Sequence, residues 1–240
     1  SGNTNAAAEL TIGLMFAVAR KLPMAHLTLK SGVWHKKRFG GIELAGKTLG
    51  IIGCGRIGQS VAGKAVALGM KVVGFDPYRI IDTKVEYLDS IEEVLKVSHF
   101  VSLHTGGGGT VIGERELAMM RPDAYLINAS RGKNVSEAAL VAALKNGRIA
   151  GAALDTYENE PKLEGQAFTS PLLELDNVVC SAHLGASTRN AERRTGLEIA
   201  AVVTDYLKRG DFTNSVTVGE SVDAAAPEIY TIFVTHEDKP

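Results

Sequence analysis

Cysteine is nearly absent from this 240-residue chain, with Cys54 and Cys180 the only two. Two thiols are too few for a disulfide-dense secreted scaffold or a four-thiolate zinc site, and they fit a reducing cytoplasm. An excess of charge is also missing: 26 Lys and Arg stand against 27 Asp and Glu, for a net charge of -1. Nothing in that balance attracts a polyanion, so no nucleic-acid partner is expected. No early apolar run is long enough to span a bilayer. The most apolar one, Leu10 to Ala19, falls well short of ~20 residues and follows no basic stretch. Neither membrane insertion nor export is expected.

What remains is an ordinary globular composition, 45% hydrophobic and 22% charged, which folds around a conventional core. At roughly 150 residues per domain, the length suggests one large domain, or one with an appendage. From Asn3, Thr4 and Asn5, which can cap a helix, an Ala-rich segment runs to Lys21 and stops at Pro23. Its apolar positions cover more than one helical stripe, which predicts burial against its own domain and against a second subunit or, equally, a wholly internal helix.

Beyond Gly41 short β-branched runs alternate with helical patterns. The strand candidates are Thr48 to Ile52, Lys71 to Phe75, His99 to His104, Ala124 to Ala129, Ile149 to Leu154 and Asn177 to Ser181. Helical patterns lie at Arg56 to Leu68, Ser90 to Lys96 with a Ser90/Glu93 capping box, Gly113 to Met120, Ser136 to Asn146 and Ser187 to Lys208. Ser136 and Ser187 are read as helix caps. Strands apolar on both faces and joined by helices predict an α/β fold, a doubly wound parallel sheet of Rossmann type. From Thr213 the pattern changes to Val/Thr alternation, then an Ala/Pro stretch, then a strand-like Tyr230 to Thr235.

Directly after the first strand candidate comes Gly53-Cys54-Gly55-Arg56-Ile57-Gly58, a G-x-G-x-x-G that opens a helix. In that setting the first glycine makes the turn, the second admits a pyrophosphate to the backbone, and the third lets helix and strand pack closely. Asp76 ends the next strand candidate, about 20 residues on, where a carboxylate binds the adenosine ribose and repels a 2'-phosphate. NAD is the expected cofactor, although Arg79 close by works against that preference.

Three charged residues follow later strands, where ligands of open α/β sheets bind: Arg131, Glu160 and His183. Together they suit a 2-hydroxy acid. A guanidinium grips the carboxylate, an imidazole takes the hydroxyl proton, and a carboxylate orients the ring. His99 and His104 lie five apart on a strand, on opposite faces, and no metal site is expected. Lys36-Lys37-Arg38 reads as a solvated turn, with help to a phosphorylated substrate of a neighbouring subunit as the alternative.

These segments, with Asn128-Ala129-Ser130-Arg131-Gly132, Gly151-Ala152-Ala153-Leu154-Asp155 and His183-Leu184-Gly185-Ala186-Ser187-Thr188, resemble the D-isomer-specific 2-hydroxyacid dehydrogenases. The resemblance covers Ser1 to about Val218. It implies an NAD-dependent enzyme acting on a small 2-hydroxy or 2-oxo acid, with Arg131 on the substrate carboxylate, His183 as acid/base and Glu160 as its partner. It implies cofactor contacts from Gly53, Gly55, Arg56, Ile57, Gly58 and Asp76. Others would come from His104 and Thr105, from Ala129, Ser130 and Arg131, and from His183 and Gly185. Asp155 would hold the nicotinamide carboxamide.

By the same resemblance residues 1–212 form the NAD-binding domain, and its first 45 residues supply a dimer-forming helix and arm around Trp34. Residues 213–240 would lead back toward a substrate domain whose first part is missing, and into an ACT-like regulatory domain cut off before its body. Three places depart from the family pattern. Gly106 to Gly109 replace a longer polar loop containing proline, Ala182 stands where proline is common, and Lys133-Asn134 stand where small or β-branched residues are usual. A binding and dimerisation module without turnover is the competing reading. A cofactor-sensing corepressor of the same superfamily is the third.

Overall fold

The computed structural model describes residues 2–80 and 84–210, so the expectations for 213–240 lie outside the described residues. Seven strands form one sheet: β1 (Thr48–Ile52), β2 (Lys71–Phe75), β3 (Glu86–Tyr87), β4 (Phe100–Leu103), β5 (Tyr125–Asn128), β6 (Gly151–Leu154) and β7 (Val178–Cys180). Every neighbouring pair is parallel, in the order β3-β2-β1-β4-β5-β6-β7. The helices are α1 (Thr4–Ala19), α2 (Leu22–Lys30), α3 (Arg56–Ala67), α4 (Ile91–Val97), α5 (Glu114–Met119), α6 (Glu137–Lys145) and α7 (Arg189–Arg209). This is the doubly wound, Rossmann-type fold that the alternating pattern predicts.

The strands are apolar at successive positions because each faces two cores. Leu49 and Ile51 of β1, Phe100 of β4, Ile127 of β5 and Ala153 of β6 point toward α1 and α3. Their neighbours Ile52, Val101, Leu126 and Ala152 point the other way, into a second core with Val94 of α4, Leu117 of α5 and Leu140 of α6. Period-two side-chain alternation produces this division, and right-handed crossovers supply a helical layer for each face.

The N-terminal segment differs from its expected form. The first helix stops at Ala19, Lys21 takes a left-handed backbone at φ 51°, and Pro23 sits in the first turn of α2. A proline there sacrifices no hydrogen bond, so it starts a helix where the sequence pattern made it an end. Asn3 occupies the N-cap of α1, where its side chain does not make the capping bond to the helix's first amides. The helix packs its Ala8, Leu14, Met15 and Val18 into the core shared with α3. No single helix among the described residues is long and apolar enough to cross a membrane.

The caps follow local chemistry with two adjustments. Ser136 accepts from the Ala139 amide, as read. Ser90 accepts from the Glu93 amide, but the Glu93 carboxylate returns to the Asp89 amide rather than closing a box on Ser90. At α7 the cap is Thr188, which accepts from the Ala191 amide at 3.1 Å, and not Ser187. Ser187 is held one step earlier by its own amide bond to the Leu184 carbonyl.

Gly50 lies mid-strand in β1, where a β-carbon would stand 2.2 Å from Ser98 Oγ and 2.5 Å from Val94 Cγ1. Both neighbours are fully buried. Gly50→Ala should therefore cost about 1–3 kcal/mol of overpacking, read as a lower urea midpoint. Gly63 of α3 has open space at its β-carbon, and Gly63→Ala should raise stability by roughly 0.5–1 kcal/mol on helix propensity alone.

Candidate active site

The strand order reverses between β1 and β4, and at such a switch point a crevice opens beyond the strands' C-terminal ends. Gly53 leaves β1 at φ +93°, and a side chain there would meet the His104 carbonyl group at 2.8 Å. Gly58, in the first turn of α3, would meet Gly53 O at 2.3 Å. Gly55 has nothing within 4 Å of its β-carbon position, and as N-cap of α3 it offers no side chain to the helix's first amides. Close approach is thus required on the inner side and left open on the outer side. This cradle fits a pyrophosphate seated on backbone N-H groups at the positive end of a helix. Arg56 is exposed and Ile57 half-buried at the same helix start.

Asp76 closes the turn from the next strand. Its Oδ2 accepts from the Cys54 amide at 2.7 Å and its Oδ1 from the Tyr78 amide at 2.9 Å. Burial, with the Asp76 carboxylate adding to it, pushes the Cys54 thiol up to about 12. Arg79, read as working against NAD, is engaged elsewhere: it pairs with Asp89 at 2.6 Å and lies over the Tyr87 ring. Across the crevice, His104 Nε2 and Ser102 Oγ are 2.9 Å apart, and burial lowers this histidine to about 4. The Thr105 hydroxyl beside it is buried with no partner among the described residues.

The Arg131 turn is shaped by Asn128, a buried residue at the end of β5. Asn128 Nδ2 donates to the Arg131 carbonyl at 2.9 Å, and its Oδ1 accepts from the Ser130 amide and hydroxyl. Ala129 packs against the core shared by α1 and α3. Arg131 itself is exposed, with Nη1 on the Ser130 carbonyl at 2.7 Å. Gly132 brings this turn onto the next loop, since a β-carbon there would overlap the Tyr157 carbonyl.

Glu160 and His183 meet as the sequence suggests: Glu160 Oε2 lies 2.8 Å from His183 Nδ1. The other carboxylate oxygen of Glu160 accepts from the Tyr157 amide at 2.9 Å. His183 carries a positive φ of 54°, a strained conformation for a residue with a side chain, and such strain clusters at functional positions. Asp155 holds it there. The Asp155 carbonyl accepts from the His183 amide, and its fully buried carboxylate accepts from Ser181 Oγ, the Leu184 amide and the Gly185 amide. Tyr157 adds a bridge, its hydroxyl donating toward the Leu154 and Ser181 carbonyls.

Asn128 and Tyr157 have no role in the sequence pattern alone. Their signals are there, a polar residue ending an apolar strand and an aromatic opening a loop, but only the fold gives them partners. Arg131, Glu160 and His183 stand on three successive loops at one edge of the sheet.

Residues 12–185 match the family model of the D-isomer specific 2-hydroxyacid dehydrogenase, NAD binding domain. The chain belongs to this family. D-3-phosphoglycerate dehydrogenase of Methanocaldococcus jannaschii is 44% identical over 216 residues, which are 87% of this chain and 40% of that protein. Hydroxypyruvate reductase of Thermotoga maritima is 42% identical over 204 residues, 83% of this chain and 66% of that protein. The crystal structure of D-lactate dehydrogenase from Aquifex aeolicus, complexed with NAD and lactic acid, is similar with a TM-score of 0.78 at 31% identity, covering 87% of this chain and 68% of that chain. The chain thus spans about two fifths of the length of the archaeal relative. The part of the 2-hydroxyacid dehydrogenase family present here is its NAD-binding domain, and the glycine cradle is the local structure that fits the cofactor.

His104 gives this site a pH signature. Because burial holds its folded value near 4 against the ordinary 6.5, the unfolded chain binds the proton first as pH falls. The stability tied to neutral His104 is complete above pH 6.5 and is lost progressively down to about 4. His104→Gln should flatten the fall in thermal midpoint across that window.

Proposed function

We propose that the chain is the cofactor-binding part of an NAD-dependent D-3-phosphoglycerate dehydrogenase, which interconverts 3-phosphoglycerate and 3-phosphohydroxypyruvate on the way to serine. The observation that carries this reading is the 2.8 Å pairing of His183 with Glu160, on loops adjoining the Arg131 turn. The archaeal relative named for this activity supports the substrate.

In this reading Arg131 holds the substrate carboxylate through its guanidinium fork. His183 has Nδ1 committed to Glu160, which leaves Nε2 to take the proton from the C2 hydroxyl, or to return it in the reverse direction. Glu160 fixes the ring's orientation through that bond. The Gly53–Gly58 turn and Asp76 would hold NAD, which would supply the hydride acceptor for C2. Asp76 binds the adenosine ribose with the lone pairs its two amide bonds leave, and disfavours a 2'-phosphate. Asp155 keeps the His183–Gly185 turn in place beside the nicotinamide, with Thr105, Ala129 and Ser130 lining the same crevice.

The assembly we propose is a homodimer or higher homo-oligomer. Leu22, Leu27, Leu29 and Trp34 are all more than half exposed on α2 and the arm beyond it, and an apolar surface of that kind suits a self-complementary interface. A cytoplasmic location agrees with both cysteines being free. A second reading, a hydroxypyruvate reductase, is favoured by the Thermotoga relative. A third is a cofactor-binding and dimerisation module without turnover.

Titrating NADH by fluorescence and then assaying 3-phosphohydroxypyruvate against hydroxypyruvate, both in the protein carrying its substrate domain, separates the three. The first reading expects binding and preference for the phosphorylated acid; binding without turnover favours the module. In the protein carrying its substrate domain, His183→Ala should lower kcat by about 10²–10⁴ with NADH affinity kept, and Arg131→Ala should raise KM for the oxo acid. Asp76→Ala should weaken NADH about tenfold or more and relax discrimination against NADPH. Parallel loss of NADH binding in the first two variants would overturn their assignment.

A further inference from the structure

Two features singled out in the sequence, the Gly106–Gly109 run and the Lys133-Asn134 pair, come together at one side chain. Asn134 is fully buried. Its Nδ2 donates to the Thr105 carbonyl at 3.2 Å, immediately before the run, and to Ser130 Oγ at 2.8 Å, next to Arg131. Its backbone carbonyl accepts from the amides of Val111 and Ile112, both at 2.9 Å, just beyond the run. One residue therefore grips both ends of the glycine segment and the turn that carries Arg131.

The run itself has little else to hold it. A β-carbon at Gly106, Gly108 or Gly109 would meet nothing within 4 Å, whereas at Gly107 it would lie 3.5 Å from Arg131 Cγ. Four consecutive glycines carry a large conformational entropy, so the position of such a segment is set mainly at its ends. The amide orientation follows from its partners. The Thr105 carbonyl can only accept, and the Ser130 hydroxyl already donates to Asn128 Oδ1, so each needs a donor. Asn134 Oδ1 is left buried without a partner, a cost that a leucine or valine at this place would avoid.

We propose that Asn134 is a positioning residue that clasps the Gly106–Gly109 run against the Arg131 side chain. Its consequence for catalysis rests on the role given to Arg131 above; the clasp itself does not.

The test compares wild type, Asn134→Ala and Asn134→Leu by hydrogen exchange without coenzyme and, in the protein carrying its substrate domain, by steady-state kinetics with 3-phosphohydroxypyruvate. The leucine variant fills the volume and removes the buried unpaired oxygen, so it is the one expected to fold well. Both variants lose the two Nδ2 bonds and keep the backbone-carbonyl bonds to Val111 and Ile112, so exchange at residues 105–112 should quicken about tenfold or more, while α6 stays protected. In the Asn134→Ala background, Gly106→Ala with Gly108→Ala should restore part of the protection, because both positions have room for a methyl group and ordinary φ. KM for the oxo acid should rise several-fold with kcat nearly unchanged.

Unaltered exchange at 105–112 in folded Asn134→Leu, or quickening that spreads evenly into α6, overturns the clasp. Quickened exchange with KM unmoved overturns the link to Arg131. A wild type that carries its substrate domain and turns over nothing refutes the functional reading, and the exchange data still decide the clasp.

Discussion

The structure depends on the burial of a parallel sheet from both sides. Leu49 and Ile51 face one core and Ile52 the other, so the helical layers leave no strand face to solvent along most of the sheet. Polar chemistry is driven to the strand ends, and the C-terminal ends are where Gly53, Asp76, His104, Arg131, Asp155 and His183 emerge. The chain order reverses between β1 and β4, and the crevice so made puts the glycine turn directly against the His104 backbone.

Along that edge the loops are fastened to one another by contacts that tolerate little change. Gly132 exists because the Tyr157 carbonyl occupies the space of a β-carbon. Tyr157 in turn gives its amide to Glu160 and its hydroxyl to the carbonyl of Ser181. Asp155 gathers the Ser181 hydroxyl and the amides of Leu184 and Gly185 around one buried carboxylate. A carboxylate removed from water in this way is stabilised only if its partners are complete, so the turn carrying His183 and the end of β6 behave as one unit.

Much of this was legible in the sequence. The β-branched runs located six strands, and the glycine spacing located the turn from β1 into α3, because both signals are local. The resemblance covered the order of Arg131, Glu160 and His183. The two-residue β3, the break at Lys21 and the choice of Thr188 over Ser187 were not legible. A short strand has no periodicity to read, and neighbouring serine and threonine are equally good caps until the preceding turn fixes the backbone. The left-handed conformation of His183 and the partners of Asp155 are set by residues far along the chain, which no local pattern contains.

The glycine turn is held by the protein's own groups. The Cys54 amide is satisfied by Asp76, a group of the protein's own, and the tight turn at Gly53 is fastened by its amide to the Phe75 carbonyl. The turn is therefore ordered by internal bonds, and in the proposed reading an arriving dinucleotide would spend little of its binding energy on ordering it. A turn fastened in this way keeps its shape whether or not a ligand lies on it.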